Sequence, residues 1–90
     1  MYALEFTNQY LKDLKLARKR RLDESKLNNL ILLLLSDISL PPKYKDHGLT
    51  GNLKRLSECH VSPDWLLIYQ KDTTIKLITL IRTGSHSDLF

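Results

Sequence analysis

Ninety residues, 42% hydrophobic and 27% charged, describe one globular domain, because three glycines and three prolines leave no room for a linker. A domain of this size buries only about 60–65% of the surface of its unfolded chain, so its stability margin is modest. A net charge of +4 with a pI near 9.3 favours an acidic partner. A single cysteine, Cys59, excludes an internal disulfide. The longest apolar run, Leu30 to Leu35, is far shorter than the roughly 20 residues of a membrane span. With no basic-then-apolar start, the expected compartment is the cytoplasm and no membrane role is expected.

Tyr2, Leu4 and Phe6 alternate with Ala3 and Glu5, which predicts a short opening strand. Thr7 or Asn8 can cap the helix that follows, from about Asn8 to Arg20, in which Tyr10, Leu11, Leu14 and Ala17 recur at helical spacing. Lys12, Lys15, Arg18, Lys19 and Arg20, with Arg21 and Lys26 beyond, crowd a short stretch that attracts phosphate backbones through counterion release. A solvated helix face is the bland alternative. Asp23 or Ser25 can cap a second helix whose Leu27, Leu30, Ile31, Leu34 and Leu35 form a broad stripe, widened by Leu32 and Leu33. Pro41-Pro42 ends helical continuation and opens an extended polar loop, Lys43 to Gly48.

After Gly51 the periodicity changes. Arg55 to Val61, Trp65 to Gln70 and Ile75 to Arg82 read as strands, joined by turns at Ser62-Pro63-Asp64 and Lys71-Asp72-Thr73-Thr74. The expected fold class is α+β: one strand, two helices, then a three-stranded antiparallel meander that the helices must cover. The chain closes on a polar cluster, Arg82 to Phe90, held by the last strand.

Histidines stand at 47, 60 and 86, and spacings of thirteen and twenty-six match no compact ligand motif, so no metal site is expected. Cys59 and His60 are strand neighbours and point to opposite faces, which leaves Cys59 structural. His60 and Asp64 flank one turn at the sheet rim. Histidines with a carboxylate and cations suit cleavage of RNA through its own 2′-hydroxyl. Asp64 is a candidate base and Arg82 a candidate phosphate clamp, though a turn residue and a solvated strand end are their alternatives. Trp65 and Phe90 can stack on splayed bases, with core packing as the alternative for Trp65.

Three segments in order, Leu40 to His47, Glu58 to Tyr69 and Arg82 to Phe90, together with Asp13 to Ala17 followed by Arg18-Lys19-Arg20, resemble the YafQ group of the RelE toxin superfamily over nearly the whole chain. The resemblance implies a compact RelE-like domain and a type II toxin, a ribosome-dependent endonuclease that cuts messenger RNA without a cofactor. It implies neutralisation by an antitoxin of the DinJ or RelB kind, with operator DNA bound only through that complex. By position in the matching motifs, His47, His60, Asp64 and His86 correspond to the catalytic set, with His86 as general acid, Asp64 as general base, and His47 and His60 orienting or stabilising the phosphate. Arg82, Trp65, Phe90, Lys45, Lys54 and Arg55 fall in RNA-contacting positions, and the basic residues of the first helix would meet the ribosome. One departure stands out: Ser57 occupies a position where relatives often carry arginine, which shifts weight to Lys54, Arg55 and Arg82. A non-enzymatic inhibitor of the gyrase-directed type and a plain RNA-binding module are the competing readings.

Overall fold

A computed structural model describes residues 1–53 and 55–90, the side chain of Asn52 excepted. Lys54, expected to contact RNA, therefore lies outside the described residues. In chain order the elements are β1 (Ala3–Phe6), α1 (Asn8–Lys19), α2 (Glu24–Leu35), β2 (His47–Gly48), β3 (Ser57–Ser62), β4 (Trp65–Asp72), β5 (Leu77–Gly84) and α3 (His86–Leu89), with 3₁₀ turns at Pro42–Tyr44 and Gly51–Leu53. The strands form one mixed sheet in the order β1-β5-β4-β3-β2, in which β1 runs parallel to β5 and the other pairings are antiparallel.

Thr7 caps α1 by accepting from the Tyr10 N–H, and Asp23 caps α2 by accepting from the Ser25 N–H. Leu27, Leu30 and Leu34 of α2 and Tyr10 and Ala17 of α1 pack in one cluster with Cys59, Val61, Trp65, Leu67, Tyr69, Ile78 and Leu80 of the sheet. Each fully buried leucine contributes about 1.5–3 kcal/mol. The stripe on α2 is narrower than its leucine run suggests, since Leu32 is exposed to solvent.

The expected third strand is displaced toward the C-terminus. Ile75, expected inside it, is 64% exposed in the β4–β5 turn, where Asp72 Oδ1 accepts from the Thr74 and Ile75 N–H groups and Lys76 adopts φ 56°. An Asx turn at Asp72 thus outcompetes the apolar character of Ile75. Similarly, β3 begins at Ser57, and Arg55 precedes it on the surface. The loop expected between Lys43 and Gly48 contains a 3₁₀ turn and the two residues of β2. Among the described residues no helix is long and apolar enough to cross a membrane.

Candidate active site

Strand register assembles the polar site. On β3 the side chains alternate, so Cys59 enters the core while Glu58 and His60 share the opposite face. His47 of β2 pairs directly with Glu58, so it joins the same face. Its Nε2 lies 3.7 Å from Glu58 Oε1, and His60 Nε2 lies 3.8 Å from the same oxygen. Glu58 is 6% exposed and sits between two imidazoles, yet it is not among the residues that the sequence singles out. The His47 Nδ1–H donates to the Lys45 carbonyl at 2.7 Å; because a carbonyl can only accept, this bond fixes the proton on Nδ1 and aims Nε2 at Glu58. His60 Nδ1 is buried without a hydrogen-bond partner among the described residues.

A bulge shapes the rim. His60 pairs with Leu66 and Ser62 with Trp65, leaving Val61 as an extra residue just past His60. Such irregularities bend a strand and re-aim its side chains. The row His60, Leu66, Gly84 crosses the sheet from β3 to β5, and Gly84 is followed immediately by Ser85, which caps α3 and places His86 on its first turn. The His86 ring stands 5.8 Å from the His60 ring, centroid to centroid, and its Nδ1 lies 3.5 Å from Asp64 Oδ1. All four expected catalytic residues thus fall at one rim, around Glu58. The carboxylate of Asp64 is 77% exposed, which makes it a freely solvated partner of His86.

The α3 turn is tied down from outside. Ser85 and Asp88 form a reciprocal capping box. Asp88 also receives Arg20 at 2.6 and 3.2 Å, and these bonds from Arg20 and Ser85 hold its carboxyl far below the usual range. Glu58, His60 and His86 each offer a donor atom within 4.8 Å of the others, a carboxylate-plus-imidazole set able to hold a divalent ion of the zinc or copper kind. Distant sequence positions give no hint of that grouping.

The expected supporting residues divide. Trp65 is 3% exposed and its indole N–H donates to Thr83 Oγ1 at 2.8 Å, so it belongs to the core and presents no ring to a base. Arg82 is engaged by Asp13 through two bonds of 3.0 Å with its side chain 34% exposed, so it is a paired cation rather than the free one that the sequence suggests. Phe90, 63% exposed, remains available for stacking, and Lys45 and Arg55 are exposed. On the basic helix Lys12, Lys15 and Lys19 are exposed and form no ion pair among the described residues, whereas Arg18 is bound to Glu24 at 2.6 Å and Arg20 to Asp88. Burial pushes the Cys59 thiol well above its ordinary value, consistent with an inert core residue.

The sequence matches the model of a family described as a bacterial toxin of a type II toxin–antitoxin system, YafQ, over residues 2–90. The chain belongs to the YafQ toxin family. Among its relatives, the mRNA interferase toxin YafQ of Escherichia coli (strain K12) is 48% identical over 88 residues, covering 97% of this chain and 94% of that protein. YafQ in the crystal structure of the E. coli DinJ-YafQ toxin–antitoxin complex superposes with a TM-score of 0.91 at 46% identity, covering 99% of this chain and 97% of the other. A metal-bound toxin from Helicobacter pylori superposes with a TM-score of 0.93 at 42% identity, covering both chains completely. The YafQ fold therefore extends over the whole described chain, including the rim where the histidines meet.

Proposed function

We propose that this chain is an mRNA interferase toxin, which cuts messenger RNA on the ribosome by acid–base chemistry and is neutralised by a cognate antitoxin of the DinJ or RelB kind. The observation that carries this reading is the convergence of His47, Glu58, His60 and His86 at one sheet rim, with Asp64 beside His86. In the reaction a base takes the 2′-hydroxyl proton, O2′ bonds to phosphorus as the P–O5′ bond breaks, and an acid protonates O5′. The products are a 2′,3′-cyclic phosphate and a 5′-hydroxyl.

In-line displacement puts base and acid on opposite sides of the phosphorus. Asp64 contacts His86, so it shares a side with the acid and is best cast as the group that orients the imidazole. Glu58, buried between His47 and His60 and within 4.8 Å of His86, is the remaining carboxylate of the rim and takes the role of base, and His47 and His60 flank it to stabilise the phosphorane. His86 protonates the leaving oxygen. This assignment moves the base from Asp64, the residue suggested by family resemblance, to Glu58.

The exposed lysines of α1 fit docking on ribosomal RNA, and an acidic antitoxin segment that folds as it binds fits the same charge. Operator DNA would be met through the antitoxin complex. A ribosomal target goes with a cytoplasmic location. The deciding experiment is primer extension on messenger RNA programmed in the ribosomal decoding site, comparing the intact protein with Glu58→Gln and His86→Ala. Cuts at defined codon positions that vanish in both folded variants are expected; unchanged cutting in either would overturn its assigned role, and no cutting by the intact protein would overturn the activity.

A further inference from the structure

A cavity of about 470 Å³ opens beside His60, between the start of α2, the Pro42–Tyr44 turn and the β3–β4 rim. Its size is that of a small-molecule site. His60, Val61, Ser62 and Pro63 form one wall, Tyr44 another, and Lys26, Asn29, Lys43 and Lys45 the rest. Among the described residues no carboxylate lines it, and none of its three lysines forms an ion pair. Lys43 lies over the Tyr44 ring, its Nζ 5.0 Å from the centroid, so one cation is already held against the wall. A concave, cationic, aromatic-walled space with one amide is chemistry for a nucleotide: a phosphate for the amines, and a base edge for the donor and acceptor of Asn29.

The position of the cavity selects which nucleotide. His60 borders it and His86 does not. His86, as the acid, serves the 5′-oxygen of the departing nucleotide, so the 3′ side of the cut lies toward α3. The cavity is reached through His60, whose Nε2 lies 3.8 Å from the base Glu58. Resting on the mRNA-cleavage reading above, we propose that this cavity is the subsite for the nucleotide on the 5′ side of the scissile bond, with Lys26, Lys43 and Lys45 meeting its upstream phosphate and Asn29 reading its base.

The test uses the intact chain on ribosomes programmed with messengers that differ only in the nucleotide 5′ to the cut, and a second set that differs only 3′ to it. Asn29 and Lys26 are exposed, so Asn29→Ala and the Lys26→Ala/Lys45→Ala pair are expected to fold, which circular dichroism checks. Asn29→Ala should flatten discrimination among the 5′ nucleotides by on the order of tenfold while leaving the 3′ preference unchanged. The lysine pair should raise KM on every messenger alike and make it less salt-dependent. Unaltered 5′ discrimination in Asn29→Ala, or a change confined to the 3′ side, would overturn the subsite. That result would come from variants that still cut, whereas an intact protein that does not cut would overturn the underlying activity instead.

Discussion

Asp13 and Arg82, 69 residues apart, hold each other side-on: Arg82 Nε and one terminal nitrogen each donate to a different oxygen of Asp13 at 3.0 Å. Asp13 also accepts from Gln9 Nε2 and from the Thr83 N–H, so four donors converge on one buried carboxylate. The pair fastens the end of β5, from which α3 and His86 depart, onto the middle of α1.

Replacing that carboxylate by an amide should be costly and pH-dependent. Burial alone would raise the Asp13 pKa, but the bonds from Arg82, Gln9 and Thr83 together outweigh it and hold the group below its ordinary value. A depressed folded-state pKa contributes stability that is complete above the unfolded value, near 3.9, and is lost as pH falls toward the folded value. Asp13→Asn should therefore cost about 1–3 kcal/mol at neutral pH, discounted from a fully buried pair because Arg82 is partly solvated. The gap between the two proteins should narrow below about pH 4. Melting temperatures from pH 7 to pH 3 check this, and a gap that stays constant with pH would refute it.

Arg20 is expected to act through the α3 turn and not through RNA. Its guanidinium binds Asp88, Asp88 caps the backbone of Ser85, and His86 is the next residue. Arg20→Ala should leave the fold intact, let the turn wander, and lower kcat with KM little changed; Arg20→Lys should recover part of the loss. Steady-state cleavage kinetics on programmed ribosomes separate the possibilities. A raised KM with full kcat would return Arg20 to the ribosome-facing set.

The order of strands and helices is legible in the sequence because hydrophobic periodicity and the caps at Thr7 and Asp23 are local signals. The centre of the site is not local. Glu58 becomes central only because β2 pairs His47 opposite it, and β2 is a two-residue strand with no pattern of its own. Arg20 and Arg82 look like free cations in the sequence because their carboxylate partners lie 68 and 69 residues away. Trp65 follows an exposed Asp64, yet strand alternation turns it inward to Thr83, a contact that only the β4–β5 pairing creates.

Added zinc should inhibit cleavage. The acid–base reading needs the lone pairs and protons of Glu58, His60 and His86 free, and the same three donors stand within 4.8 Å of one another. A bound ion would take those lone pairs. Activity should fall as zinc is titrated in and return with a zinc-selective chelator that spares the magnesium of the ribosome, while that chelator alone should leave the starting activity unchanged. Stimulation by zinc, or loss of activity with the chelator alone, would contradict metal-independent chemistry.

The basic face of α1 gives the converse of the Arg20 experiment. Lys12, Lys15 and Lys19 are exposed, distant in role from the proton transfers, and without ion pairs among the described residues. Charge reversal to Glu at all three should weaken association with the ribosome and raise KM, with kcat at saturation preserved. Each phosphate that the variant no longer neutralises should also lower the slope of log affinity against log salt by a little under one unit, roughly 0.7 to 0.9. Binding measured between 50 and 200 mM salt, about the range over which such electrostatic attraction dominates, reads that slope directly. A triple variant with unchanged KM and unchanged slope would show that this face meets solvent alone, whereas a fall in kcat at constant KM would mean that the substitutions reach the catalytic rim through α1 and its packing on β5.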